Sequence, residues 1–396
     1  MTEADSPRPL RVLVVHNAYQ QWGGEDAVVE AEIALLRRSG HTVREYRRHN
    51  DEIGAQAAWR TAATTLWSRR TAHDVARALA DSAVDIVHCH NTFPLVSPSV
   101  YWAAHRAGVP VVQTLHNFRL LCPQAMLLRD ERICEACVGH VPWRAAVHAC
   151  YRGSRAQSGV LAGMLALHRA LGTYRDKIAI YVALSEFGRR KFIEGGLPAG
   201  RIRVKPNFID LPTEPPAGPR NGFLFVGRLS PEKGVSVLAD AAQRLAGIPI
   251  RVAGSGPAEA ALGGIQGVAL LGALPIGQVI AEMHRARALV LPSVWYEGFP
   301  RTLVEAFACG LPVIASRLGA LEELVEHGVT GLLSEPGDAA ALAQAMAWAE
   351  QHPAQMAEMG LRARQAYRER FTASSNYAQL AAIYAEALES RVAAGA

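Results

Sequence analysis

The chain repeats one pattern along most of its length. A short apolar run is followed by a loop rich in Gly, Pro, His or Asn, and then by a stretch with helical spacing. Runs at residues 10–15, 43–46, 85–88, 109–115, 178–184 and 202–204 carry the pattern in the first half. Runs at 223–226, 250–253, 268–271, 288–291 and 313–315 carry it in the second, with a short edge strand at 331–333. Runs this short and this continuously apolar suit strands buried on both faces, and strands that alternate with helices build a parallel sheet. A proline-rich stretch at 210–221, D-L-P-T-E-P-P-A-G-P-R-N, interrupts the alternation once and is read as a linker. The expected fold class is α/β: two doubly wound Rossmann-like domains, at 1–209 and 222–373, facing each other across a central cleft. The chain has 396 residues, enough for each half to bury its own core.

No apolar run approaches the roughly 18 residues that a membrane-crossing helix needs. The opening M-T-E-A-D-S-P-R-P-L lacks the apolar centre of a signal peptide, so a cytoplasmic protein is expected. Residues 1–206 hold 27 Lys and Arg against 18 Asp and Glu, a net +9; residues 207–396 hold 14 against 18, a net −4. A basic first half suits an anionic partner, either a phosphate-bearing substrate or a membrane surface. Nucleic acid is not expected, because arginines and aromatics do not interleave in any recognisable module. Residues 158–171 are strongly apolar, with Arg152, Arg155, Arg169, Arg175 and Lys177 around them. That stretch fits peripheral contact with an anionic membrane, or a core helix with a basic exposed edge.

The most informative stretch is 295–305, W-Y-E-G-F-P-R-T-L-V-E. It follows the apolar run at 288–291, and Pro292, Gly298 and Pro300 mark a loop before a helix begins near Thr302. Glu297 then lies on the loop at a strand's carboxyl end, and Glu305 about one turn into the helix. Open α/β sheets bind ligands at that edge, and amides at a helix N-terminus favour a phosphate there. Two carboxylates so placed can hold two hydroxyl-bearing parts of one ligand. A second reading gives Glu305 a local task, because Thr302 and Glu305 have capping-box spacing.

Other polar clusters fall at the same edge. Gly23-Gly24 lies between a strand and a helix, where a backbone can come close to a phosphate. His16-Asn17, His88/His90-Asn91 and His116-Asn117 each end a strand. Arg228 and Lys233 lie five apart in G-R-L-S-P-E-K-G, and the chain has only four lysines against 37 arginines. Arg grips a phosphate with a fork of donors, and Lys adds a compact charge. The G-S-G-P-A run at 254–258 lacks the third glycine of a dinucleotide turn, and Gly254 is read as part of a loop lining a base pocket. Four cysteines, Cys122, Cys134, Cys137 and Cys150, sit in an insertion at 118–155 with the spacing C-x11-C-x2-C-x12-C. A structural zinc site, unligated thiols and a disulfide or iron–sulfur centre all remain open for them.

The E-x7-E spacing of Glu297 and Glu305, with G-F-P between them, resembles the motif of retaining glycosyltransferase family 4. Gly23-Gly24, His116 and Arg228/Lys233 match further positions of that family, and the resemblance covers nearly the whole chain. It implies the GT-B architecture and a last helix, about 374–396, that packs back on the first domain. It also implies transfer of a sugar from a nucleoside-diphosphate sugar to a saccharide or lipid-linked saccharide, in the assembly of cell-surface polysaccharide or glycolipid at the inner face of the membrane. In that resemblance Glu297 and Gly298-Phe299-Pro300 orient the donor sugar, and Glu305 holds the ribose. Gly23, Gly24, Arg228, Lys233 and the start of the helix at Thr302 and Leu303 meet the diphosphate, and His116 lies beside the reacting carbon. No catalytic metal ion is expected.

Alternatives have their own requirements. A glycoside hydrolase also uses paired carboxylates but has no need of the Arg/Lys pair. A nicotinamide-dependent dehydrogenase needs the intact glycine turn that is missing here. A non-catalytic or epimerising nucleotide-sugar protein of the same architecture would share every donor residue.

Overall fold

The computed structural model describes residues 8–54, 57–210, 218–245 and 247–395. By its internal contacts the chain forms two units. One comprises Met1–Met126, Glu135–Pro206 and Asn376–Ala396; the other comprises Leu127–Cys134 and Asn207–Ser375. Most of the proline-rich linker, 211–217, lies outside the described residues.

The first unit is built on a parallel sheet of β1 (Arg11–Ala18), β2 (Thr42–His49), β3 (Ile86–Cys89) and β4 (Val111–Leu115), followed by two later strands. A two-stranded antiparallel hairpin, β5 (Leu128–Arg129) with β6 (Arg132–Ile133), interrupts the order, and β7 (Ile180–Ala183) and β8 (Ile202–Val204) complete the sheet. The spatial order is β2-β1-β3-β4-β7-β8. β3, β4 and β7 are buried along their whole length, as continuous apolar runs require. One layer of core sets Val12 and Val14 of β1 against Val29, Ile33 and Leu36 of the helix Gly24–Arg38. The helix Ala373–Gly395 closes it with Leu380, Ile383, Tyr384 and Ala387. Each fully buried side chain of that size contributes about 1.5–3 kcal/mol, so this last helix is integral to the first unit's stability.

The second unit repeats the design. β9 (Phe223–Val226), β10 (Ile250–Ala253), β11 (Val268–Gly272), β12 (Ala288–Leu291), β13 (Val313–Ser316) and β14 (Gly331–Ser334) form a parallel sheet in the order β11-β10-β9-β12-β13-β14. Both sheets therefore reverse their winding direction once, between β1 and β3 in the first and between β9 and β12 in the second. Loops leaving the carboxyl ends of such strand pairs diverge and leave a crevice for a ligand.

Between β2 and β3 the chain forms two helices, Ala58–Leu66 and Arg69–Asp81. Trp67 is extended, and the Ser68 hydroxyl accepts from the Thr71 amide at 3.2 Å, starting the second. Among the described residues no helix is long and apolar enough to cross a membrane.

Candidate functional site

The second unit's crevice is bounded by the loops after β9 and β12. The first runs through Arg228 and a tight turn at Pro231–Lys233 into the helix Val235–Gln243. Gly234 ends that turn in the left-handed region, φ 71°, and a Cβ there would lie 1.9 Å from the Pro292 carbonyl oxygen. Only glycine permits so close an approach of the two loops. The Val294 amide then donates to the Glu232 carbonyl at 3.0 Å and ties them together.

This closure puts Lys233 on Glu297. The ammonium lies 2.8 and 2.9 Å from the two carboxylate oxygens, and the Ser293 hydroxyl donates to the same carboxylate at 2.6 Å. Glu297 is only 5% exposed. The Trp295 ring stands 5.4 Å from the Lys233 ammonium, and its indole N–H is buried without a hydrogen-bond partner. Such an orphaned donor beside a charged cluster is a signature of a ligand site.

Arg228 is exposed but not loose. Its guanidinium donates to Glu232 at 2.6 Å, and the Ser230 hydroxyl donates to the same oxygen at 2.7 Å. Burial pushes the Glu232 carboxyl up, but the hydrogen bonds from Ser230 and Arg228 outweigh it and hold the group below the usual range. The three residues form one rigid, charged loop. Gly254, φ 144°, packs against this loop, where a Cβ would fall 1.9 Å from the Gly227 oxygen. Its glycine is thus demanded by the chain's own packing.

After β12 the helix Arg301–Ala308 has Pro300 as its N-cap, with no side-chain cap. This overturns the capping-box reading of Thr302 and Glu305, since Thr302 already lies inside the helix. Glu305 is buried, and its ion-pair partner is Arg301 at the long distance of 3.7 Å. Burial raises its carboxyl above the usual range, against the lowering effect of Arg301. Phe299 is buried with its ring 6.0 Å from Phe371, which fixes the Gly298-Phe299-Pro300 backbone. The Leu303 side chain is fully buried and its amide donates to the Pro300 carbonyl, so the first helix amides belong to Arg301 and Thr302.

The first unit's crevice is organised by carboxylates that the sequence reading did not single out. Asp26 receives His16 Nε2 and the Gly23 amide, both at 2.9 Å, which folds the Gly23-Gly24 loop around it. Gly23 has an ordinary extended backbone, and a Cβ there would meet nothing nearer than 3.7 Å. Gly23 is the N-cap of the helix Gly24–Arg38, a position that favours glycine, and the space beside it is open. Deeper in, Glu32 is 2% exposed and takes the Lys205 ammonium at 2.8 Å. His88 Nδ1 and His90 Nε2 lie 3.2 and 3.3 Å from its other oxygen. His90 Nδ1 is 2.9 Å from Nε2 of half-buried His116. Burial lowers all three histidines, His88 to about 3, so they are neutral at pH 7.

Glu32, His88 and His90 are the one group among the described residues whose ligand atoms are close enough to hold a metal ion. The donor set argues against it. Glu32 already neutralises Lys205, and Tyr384 occupies His88 Nδ1 at 2.8 Å. A divalent ion would add two uncompensated charges in a site closed to water. Cys122, Cys137 and Cys150 belong to the first unit and Cys134 to the second, and none of the six cysteines is in a disulfide. Metal analysis of the purified protein tests a structural zinc on the four insertion cysteines.

Asp26, Glu32, Lys205, Glu232, Ser293 and Trp295 were not anticipated. Glu232 had a signal, its four-residue spacing from Arg228. Lys205 had one too, since only four lysines occur in the chain. Glu32 had none, because its partner lies 173 residues away.

The comparisons agree with this architecture. Residues 22–212 match the family model described as Glycosyltransferase Family 4, and residues 220–352 match Glycosyl transferases group 1. D-rhamnosyltransferase WbpZ of Pseudomonas aeruginosa is 38% identical over 164 residues, 39% of this chain and 42% of that protein. The phosphatidyl-myo-inositol mannosyltransferase of Mycobacterium leprae is 29% identical over 286 residues, 69% of this chain and 66% of that one. Amylovoran biosynthesis glycosyltransferase AmsK of Erwinia amylovora is 31% identical, over 52% of this chain and 55% of its own. The chain thus spans 42% to 66% of the length of these relatives. Among solved structures, Anabaena HepE in complex with UDP and glucose superposes with a TM-score of 0.67 at 20% identity, covering 94% of this chain and 98% of that one. Sucrose-phosphate synthase from Thermosynechococcus elongatus gives 0.70 at 18% identity, covering 96% and 100%. With both halves matched by family models and both sheets wound alike, the chain belongs to the family 4, group 1 glycosyltransferases of GT-B fold.

Proposed function

We propose that the chain transfers a glycosyl unit, with retained anomeric configuration, from a nucleoside-diphosphate sugar to a hydroxyl of a saccharide or lipid-linked saccharide. The observation that carries this reading is the Lys233–Glu297 pair at the second unit's switch point, with Arg228 held beside it by Glu232. The barrier to transfer is largely charge gathering on the leaving diphosphate. Arg228, Lys233 and the amides of Arg301 and Thr302 are the groups that stabilise it. No catalytic metal ion enters this scheme, because those cations take its part. Glu297 and Gly298-Phe299-Pro300 orient the sugar, and Glu305 accepts from ribose hydroxyls. Both Glu297 oxygens are engaged by Lys233, and Ser293 also donates to one, which suits a positioning role better than nucleophilic attack. Front-face departure and attack on the same side of the sugar needs no enzyme nucleophile. HepE, solved with UDP and glucose, makes uridine the first base to test.

Purified protein incubated with UDP-, GDP- and ADP-sugars and a lipid-linked acceptor is expected to release nucleoside diphosphate only with acceptor, and NMR of the product is expected to show the donor's anomeric configuration. An inverted product contradicts retention. Release of an epimerised free sugar without acceptor supports the epimerase alternative instead.

A lipid-linked acceptor implies work at the inner face of a membrane. The helix Arg155–Ala170 buries Leu161, Met164 and Leu165, so one face of the apolar 158–171 stretch is core. Leu167 and Leu171 remain exposed. Arg169 donates to the His140 carbonyl at 2.7 Å, bringing in a neighbouring segment that exposes Val141, Trp143 and Val147. Aromatic and aliphatic side chains among arginines suit an anionic interface. Trp143→Ala is expected to reduce flotation with anionic liposomes several-fold while leaving soluble-acceptor turnover unchanged. Equal flotation of both proteins contradicts this surface.

A further inference from the structure

Nothing in the proposed reaction uses the buried chain of groups behind His116. Lys205, Glu32, His90 and His116 form one continuous contact path, with distances of 2.8, 3.3 and 2.9 Å. Its inner members are 1%, 2% and 3% exposed. The Glu32 oxygen and His90 Nε2 face each other at 3.3 Å, and His90 Nε2 has no other hydrogen-bond partner among the described residues. The same Glu32 oxygen lies 3.2 Å from His88 Nδ1, so it holds the His88 proton on Nδ1, shared with the Tyr384 oxygen at 2.8 Å, and the Thr114 hydroxyl donates to Nε2 at 2.8 Å. Glu32 thus faces both His88 and His90, and only His90 leads on to His116.

A neutral imidazole has one N–H and one bare nitrogen, and two such rings in a row admit two opposite proton arrangements. Glu32 breaks that symmetry. Paired with Lys205 it is an ionised carboxylate and can only accept. A bare His90 Nε2 set against it would place lone pair on lone pair, so Nε2 of His90 carries the proton. His90 Nδ1 is then bare and accepts from Nε2–H of His116. His116 Nδ1 is left bare, with no partner among the described residues. We propose that Glu32, acting through His90, fixes the tautomer of His116, so that His116 meets its substrate as a hydrogen-bond acceptor. Glu32 and His90 are positioning residues, comparable to the outer groups that orient a metal-bound or catalytic histidine. The consequence for recognition is chemical. The sugar must offer an O–H at His116, and an analogue that carries only an acceptor there is rejected. This consequence rests on the reading of His116 as a sugar-facing group; the tautomer does not.

The test is a long-range ¹H–¹⁵N spectrum of histidine-labelled protein, with the His116 signals identified by their loss in His116→Ala. In the wild type the proton of His116 is expected on Nε2. In the double variant Glu32→Leu/Lys205→Met the site is uncharged and nothing accepts from His90 Nε2. The bias on the two rings is lost, the His116 proton is shared between Nδ1 and Nε2, and kcat falls about 10-fold. A wild-type proton on Nδ1 overturns the proposal even if the variant does not fold. An unchanged tautomer in a folded variant overturns it too. The predicted tautomers in a protein that turns over no nucleotide-sugar would leave the relay standing and count against the glycosyltransferase reading alone.

Discussion

Lys233→Ala is expected to lower kcat by about 10²-fold or more, with a smaller change in KM. The ammonium bonds to Glu297 in the free protein, so it is oriented before any ligand arrives. Its partner charge in the reaction, on the leaving diphosphate, grows towards the transition state, and an interaction that strengthens there acts on kcat. Removing the side chain also leaves Glu297 with Ser293 alone in a buried position. Comparison with Glu297→Gln separates the two effects. If the loss came only from stranding Glu297, the double variant Lys233→Ala/Glu297→Gln would match Glu297→Gln alone; a clamp role predicts that it falls well below it. Lys233→Arg should recover only part, because a planar fork does not replace a compact charge at this spacing. Steady-state kinetics with the preferred donor checks all four proteins.

Lys205→Met is expected to destabilise the first unit by about 3–5 kcal/mol, the usual cost of stranding one partner of a buried ion pair. Lys205 donates to Glu32 and to the Asn376 side-chain oxygen Oδ1, and the Asn376 side-chain Nδ2 in turn donates to the Pro206 carbonyl. The pair therefore joins the first strands' helix, the end of the last strand and the final helix within one unit. Adding Glu32→Gln should return most of the loss, because no charge is then left unpaired. The same cluster makes stability depend on pH. Burial raises Glu32, but Lys205 and the neighbouring histidines outweigh it and hold its carboxyl well below its ordinary value near 4.5. Burial and the neighbouring His90 hold His88 at about 3, against 6.5 when unfolded. Both groups bind protons more readily in the unfolded chain, so stability is full above about pH 6.5 and falls as pH drops towards 3. Melting temperature measured from pH 8 to pH 4 is expected to fall steadily below pH 6.5, and a flat profile would contradict the neutral, buried state of this cluster.

The architecture was readable in the sequence because its physics is local. A parallel strand buried on both faces must be a short apolar run, and the loop after it must carry whatever chemistry the crevice has. Arg228, Lys233, Glu297 and Glu305 were singled out in this way, each on the loop or helix that directly follows a strand. The supports behind them were not, because their partners are distant in the chain. Glu32 reads as one more helix-surface acid until Lys205 and Asn376 are brought to it across more than 170 residues. Gly234 reads as a turn residue until Pro292 is seen against it.

The most direct measurement is a thermal-shift screen of UDP, GDP, ADP and their sugars on the wild type and on Lys233→Ala. A clear rise in melting temperature with one nucleotide, lost in Lys233→Ala, is the predicted result, because a ligand bound only to the folded state raises stability by mass action. No shift with any of them, or an equal shift in the two proteins, would contradict the assignment of the Lys233–Glu297 crevice as the nucleotide-sugar site.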